Sequence, residues 1–335
     1  MKKAIQFGAG NIGRGVIGPL LSKSNYQVVF ADINNEIINK LNENNQYLIH
    51  VKDIECTEEQ VNNISGVMLT SDKIINEIVD AEIITAAIES RYIPQVALII
   101  AKGIKIRNKN ESKLNLNIIS CENIIESSTK LKDEIKKHLN RDEINYLDEY
   151  IGFPNCLVDR IVMPNINEND FYTQAEKYCQ WIIDRNGFKG DISSIESANF
   201  VDDLNAYIER SIFIINTVYA MTSYFGKLRG YTSIEESVND KFIYDLVKDL
   251  VKDLVKESAS KIAVKYKFDE KSNLGYIEKT IDRFKNPYLK GKEIRTGKNQ
   301  LKRLNEYAKM TNNFNSFTSN LEIFNMLNDD MRRSY

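Results

Sequence analysis

IQFGAGNIGRGVIG, residues 5–18, passes from an apolar, strand-like run into three glycines and then into a helical pattern. Gly8, Gly10 and Gly13 stand in G-x-G-x-x-G register. In that register the first glycine permits a tight turn and the second lets bare backbone approach a pyrophosphate. The third lets the following helix lie close to a sheet. The start of that helix offers amide hydrogens and a positive dipole end to an anion. Taken alone the pattern is weak, but its setting strengthens it. A strand comes just before it, a helix follows, and VVFAD (residues 28–32) ends a second strand at Asp32. A carboxylate at this place accepts hydrogen bonds from ribose hydroxyls and repels a 2′-phosphate, so the expected cofactor is NAD rather than NADP. The expected cofactor-binding residues are Phe7, Gly8, Ala9, Gly10, Asn11, Ile12, Gly13 and Asp32.

Outward from this turn, AIQF, QVVFAD, EIITAAI and LNIISC are short and almost continuously apolar. Strands covered on both faces have that composition. NIGRGVIGPLLSKS, NEIINKLNEN and PQVALIIAKGIKI read as the helices between them. The rhythm predicts an α/β, Rossmann-type doubly wound domain over residues 1–194. Beyond it strand signals become rare, and residues 199–228 and 239–266 read as long helices. A mostly α-helical C-terminal domain over residues 195–335 is therefore expected. DLVKDLVKDLVK, residues 245–256, repeats every four residues. An amphipathic helix lying over a core accounts for it more simply than a helix built for a partner.

A chain of 335 residues has room for two such domains, each with a core. Its net charge of −2 gives no general pull toward phosphate backbones or anionic lipid, so neither nucleic acid nor membrane is expected as a partner. Apolar runs such as VALIIA are far shorter than the roughly 20 residues that cross a bilayer. The first residues enter a strand at once, leaving no room for a signal segment, and a cytoplasmic protein is expected. Four cysteines without C-x-x-C spacing suit thiols in a reducing compartment. The two histidines are His50, in the strand-like YLIHV, and His138, in the charged helical run LKDEIKKHLN. Both read as structural or solvated, and no metal site is expected.

FGAGNIGRGVIG followed by FADIN resembles the mannitol-1-phosphate 5-dehydrogenase family, within the long-chain polyol dehydrogenases. The resemblance continues through LNIISCENIIESSTKLK, GFPNCLVDRIVMP, WIIDRNGFKG, DDLNAYIER, FGKLRG and RFKNPYLK, and so covers most of the chain. It implies NAD-linked, metal-free interconversion of a polyol phosphate and a ketose phosphate, of the mannitol 1-phosphate and fructose 6-phosphate type. It also implies a small-molecule sugar or polyol phosphate as the partner, and leaves monomer and homo-oligomer open. After RTGKNQLKRL the family carries further helices, where this sequence has a short polar stretch. The resemblance therefore also allows a substrate domain with a wall that is missing, thinned or supplied by another chain.

The resemblance further implies a polar constellation at the reacting carbon. Asn123 in CEN and Asn216 in the long helix would hydrogen-bond the oxygen that alternates between carbonyl and alcohol, and Asp159 in VDRI would tune the base. The family's helix reads K-x4-N-x2-H, with the lysine as general base. Here the lysine position is Ser211 and the histidine position is Tyr219. On a helix Ser211, Tyr219 and Asn216 point at about 0°, 80° and 140°, so they share one broad face. A serine hydroxyl is a poor proton acceptor, and Tyr219 serves only if a cation such as Lys227, Arg210 or Lys298 lowers its pKa. Three readings follow: a dehydrogenase with an atypical acid–base site, an NAD-binding scaffold or regulator, or an enzyme of altered substrate that uses another acid–base group.

Overall fold

The computed structural model describes residues 2–122, 126–163, 171–192, 195–252 and 270–288. The chain divides into two compact units, Met1–Leu204 and Asn205–Tyr335. At the centre of the first is a six-stranded parallel sheet. Its strand order is β5 (Ile64–Met68), β2 (Tyr26–Asp32), β1 (Lys2–Phe7), β6 (Ile83–Ala86), β7 (Leu116–Ser120), β8 (Ile151–Gly152). This is the doubly wound order, in which the chain reverses direction across the sheet between β1 and β6.

Alternation along the strands explains their near-continuous apolar character. Ala4, Val28, Phe30 and Ile83 face one side, packed with Val16, Ile17, Leu20 and Leu21 of the first helix and with Ile38 and Leu41 of α2 (Asn35–Asn44). Ile5, Phe7, Val29 and Ile84 face the other, against α3 (Lys73–Asp80), α4 (Ile93–Lys109) and α5 (Ser127–Lys136). Helices on both faces leave neither side to water, so every position on these strands favours an apolar residue. Gln6 and Thr85 break the pattern and are fully buried. Their polar atoms are satisfied: Thr85 Oγ1 donates to Gln6 Oε1 at 2.6 Å, and Gln6 Nε2 donates to the carbonyls of Phe7 (2.6 Å) and Gly8 (3.1 Å).

Two smaller sheets, largely hidden in the sequence, complete this unit. One has the order β10 (Val162–Met163), β11 (Thr173–Ala175), β3 (Gln46–Val51), β4 (Thr57–Asn62). The other runs β13 (Asn199–Val201), β12 (Gln180–Asp184), β9 (Cys156–Asp159). Strands of two or three residues are too short for an alternating pattern to register. β13 pairs in parallel with β12, and the two compact units part after Leu204. In sequence, NFV reads as the head of the helix that follows it.

His138 also differs from expectation. The helix α5 ends at Lys136, and His138 lies in the turn before α6 (Arg141–Tyr150). The Asn140–Glu143 capping box starts a new helix there, which divides the charged run. His50 lies in β3 as expected, with Nδ1 3.2 Å from the Glu58 carboxylate on the paired strand.

The described residues of the second unit form helices: α7 (Leu204–Leu228), α8 (Ile234–Asn239), α9 over residues 241–252, and α10 (Glu270–Arg283). Ile214, Val218, Val238, Ile243, Val247, Val251, Ile277 and Ile281 form its core. The four-residue repeat begins in α9, where Val247 and Val251 continue the buried row from Ile243 while Asp245 and Asp249 face solvent. That is the amphipathic helix over a core; the rest of the repeat lies outside the described residues. Among the described residues no helix is long and apolar enough to cross a membrane.

Candidate active site

In open doubly wound sheets ligands bind beyond the carboxyl ends of the strands, at the point where strand order reverses. A cavity of about 320 Å³ lies there. Gly8 and Gly10 after β1, Asp32 and Ile33 at the end of β2, and Ala87 and Ile88 after β6 contribute to its wall.

The glycine turn is shaped by contacts that side chains would destroy. Gly8 has φ +92°, and a Cβ there would fall 2.3 Å from the carbonyl oxygen of Ala87. A Cβ on Gly13 would come 2.0 Å from the carbonyl oxygen of Gly8. Gly10 is different: a Cβ there would meet nothing within 4 Å. Its lack of a side chain is not demanded by the protein's own packing, and leaves open space beside bare backbone. A dinucleotide pyrophosphate fits that cradle. Asp32 reaches back to the turn, where its Oδ2 accepts from the Ala9 amide at 2.6 Å and its Oδ1 from the Asn34 amide at 2.9 Å. Phe7 and Ala9 are fully buried, Ile12 is half-buried and Asn11 is exposed.

The helix behind the turn contains a π-helical segment, Gly13–Ile17, before α1 (Gly18–Lys23). Arg14 is buried beneath the turn, its Nε donating to the Ala9 carbonyl at 2.7 Å and its Nη1 to the Phe171 carbonyl at 3.2 Å. Burial pulls its pKa below the usual arginine value, against the opposing pull of Tyr47 and Asp32. The Tyr47 hydroxyl is buried too and held strongly in its neutral form by desolvation.

Of the residues expected at the reacting carbon, Asn123 lies outside the described residues, as does Lys298. Its neighbour Glu122 has a raised pKa, chiefly from burial, with the Ile88 amide pulling the other way. Asp159 ends β9, half-buried and paired with Gln180 of β12. Ser211, Asn216 and Tyr219 all lie on α7, and at 7%, 8% and 2% exposure all three are buried. Tyr219 packs edge-on against Phe284 with ring centroids 5.4 Å apart. Arg210 lies over the ring of Tyr276 at 4.6 Å and donates to Ser272 Oγ at 3.3 Å.

Sequence reasoning missed Tyr47, Arg160 and Pro19 around the π-helical segment. A proline six residues past the last glycine of the motif was the available signal, since it removes a helix donor.

Family models agree with this division of the chain. The mannitol dehydrogenase Rossmann domain matches residues 2–197, and the mannitol dehydrogenase C-terminal domain matches residues 203–313. The mannitol-1-phosphate 5-dehydrogenase of Buchnera aphidicola subsp. Acyrthosiphon pisum (strain Tuc7) is 37% identical over 328 residues, 97% of this chain and 84% of that protein. The protein of the same description from Enterococcus faecalis (strain ATCC 700802 / V583) is 37% identical over 303 residues, 90% of this chain and 77% of its own length. Among solved structures, D-sorbitol dehydrogenase in substrate-free form has a TM-score of 0.71 at 15% identity, covering 85% of this chain and 70% of that one. Pseudomonas fluorescens mannitol 2-dehydrogenase, in ternary complex with NAD and D-mannitol, gives 0.62 at 14%, covering 88% and 71%. At such identities the two structures share the fold. The family models and the 37% relatives carry more: this chain belongs to the mannitol dehydrogenase family.

Proposed function

We propose that this chain is an NAD-dependent oxidoreductase that interconverts a polyol phosphate and a ketose phosphate, of the mannitol 1-phosphate and fructose 6-phosphate type. The observation that carries the proposal is the cavity at the strand-order reversal, with the open face of Gly10 on one side and Asp32 on the other. A nicotinamide cofactor, when bound, supplies the site for hydride exchange. Gly8 to Gly13 would hold the pyrophosphate, and Asp32 would take the ribose hydroxyls and disfavour a 2′-phosphate. A reducing, cytoplasmic setting is part of the reading, in keeping with four cysteines that all remain thiols.

On the substrate side, Asn216 and Asn123 would donate to the oxygen that gains negative charge as a carbonyl is reduced. Oxidation runs the other way and releases a proton from the alcohol. With Ser211 at the position that the resemblance gives to a lysine, uptake of that proton would be the slow part of the cycle. Asp159 would favour a positive charge at the proton acceptor. The test is incubation of the pure protein with NADH and a panel of ketose phosphates, following absorbance of the reduced nicotinamide. NADH oxidation with fructose 6-phosphate is expected, with NADPH clearly inferior; no oxidation with any ketose phosphate sinks the enzyme reading. In the enzyme, Asn216→Ala lowers turnover by about 10²–10³-fold with cofactor affinity nearly unchanged, as for loss of one donor to a developing oxyanion.

A second reading has its own support. Tyr219 is in the apolar core of the helical unit, against Phe284. With Ser211 at the lysine position, that favours a cofactor-binding protein without the reaction. A protein that binds NADH yet turns over none of the panel fits this reading alone.

A further inference from the structure

In the helix that follows the glycine turn, two carbonyls lose the amide that a regular helix would give them, one because an amide is redirected and one because it is absent. In a regular helix the carbonyl of Arg14 accepts from the amide of residue 18 and that of Gly15 from the amide of residue 19. Here the Gly18 amide donates to the Gly13 carbonyl, five residues back, and residue 19 is Pro19, which has no N–H. Both carbonyls accept a hydrogen bond from outside the helix. The Tyr47 hydroxyl, from β3, donates to the Arg14 carbonyl at 2.6 Å. Arg160 Nη1, one residue past β9, donates to the Gly15 carbonyl at 3.0 Å. Each side chain is buried, and Arg160 is further held by the Glu176 carbonyl at 2.9 Å and the Glu59 carboxylate at 3.4 Å.

We propose that Arg160 and Tyr47 are positioning residues for the cofactor: by donating to the carbonyls of Arg14 and Gly15 at the π-helical step and Pro19, they fix the pitch of the helix whose first turn seats the pyrophosphate. The proposal rests on the NAD reading of the glycine turn. Neither side chain is needed in the cleft itself, because each acts through a carbonyl of that helix. A π-helical segment beside a ligand turn is a recurrent functional device, and here its maintenance is assigned to two named residues. Asp159 and Arg160 are adjacent, so the VDRI block would serve the reacting carbon with one residue and the cofactor helix with the next.

The experiment is a double-mutant cycle read as NADH dissociation constants by fluorescence titration of the full-length protein, with thermal melts alongside. Arg160→Met is expected to weaken NADH about tenfold by leaving a buried carbonyl without a donor. Tyr47→Phe, which removes one hydroxyl and keeps the ring, is expected to weaken it about threefold to tenfold and remains informative if Arg160→Met does not fold. Pro19→Ala restores an amide able to reach the Gly15 carbonyl. In Pro19→Ala/Arg160→Met the loss in affinity is therefore expected to be smaller than the sum of the single losses. A purely structural role for Arg160, through Glu59 and Glu176, would give additive losses and overturns the proposal. So does native-like NADH affinity in folded Arg160→Met or in Tyr47→Phe. A native protein that binds no NADH overturns the cofactor reading itself, and this proposal with it.

Discussion

At the scale of single residues, the glycines of one motif have different jobs. A methyl group on Gly8 would strike the Ala87 carbonyl in a backbone conformation that side chains rarely adopt. On Gly10 it would strike nothing in the protein. Gly8→Ala is therefore expected to lower the melting temperature, while Gly10→Ala melts like the native protein and loses NADH affinity, seen by melting and titration of the same preparations. Equal NADH affinity in Gly10→Ala and native protein removes the pyrophosphate from this turn. Position 211 gives a second prediction. Ser211 is buried, and burial lowers the pKa of a lysine toward the range useful for a base. Ser211→Lys should raise the rate of polyol phosphate oxidation by up to about 10²–10⁴-fold, the usual contribution of general acid–base catalysis. Steady-state rates in the oxidation direction check this; a folded, NAD-binding variant with no gain argues that the proton leaves by another route.

Among the elements, α8 shows how a short helix is held in place. The Ser233 hydroxyl accepts from the Glu236 amide at 3.1 Å, and the Glu236 carboxylate accepts from the amides of Thr232 (2.9 Å) and Ser233 (3.1 Å). Those backbone hydrogen bonds hold the Glu236 carboxyl below its usual pKa. A carboxyl depressed on folding stabilises above its ordinary pKa, and that stabilisation is lost as pH falls through its folded value. Melts across the acid range should therefore show native protein losing more stability than Glu236→Gln. Ser233→Ala should cost about 1 kcal/mol, typical of an N-cap, in denaturant titration at neutral pH. Element boundaries also account for most departures from the sequence reading. The capping box at Asn140 divides a charged run that otherwise looks like one helix around His138. β13 is recognisable only through its partner β12, because three residues carry no period of their own.

For the molecule as a whole, each unit has its own buried core, two clusters flanking the sheet in the first and one among the helices of the second. The first should therefore fold by itself. A fragment spanning Met1–Leu204 is expected to melt cooperatively and to gain stability with added NADH, since the whole glycine turn and Asp32 belong to it. The fragment should turn over no substrate, because Ser211, Asn216 and Tyr219 lie in the other unit. Thermal melts with and without NADH check the first claim, and absorbance assays the second. What the sequence determined alone was what local pattern can encode: strands buried on both faces, the glycine turn with its acidic partner, the amphipathic row in α9, and family membership through blocks spread along the chain. What only the tertiary structure decided was which distant groups meet. Tyr47 and Arg160 are far apart in sequence and have ordinary neighbours, yet they converge on two adjacent carbonyls of one helix. Sequence periodicity records which way a side chain faces and not what it touches. The partners of an orphaned carbonyl therefore become visible only when the chain has closed around it.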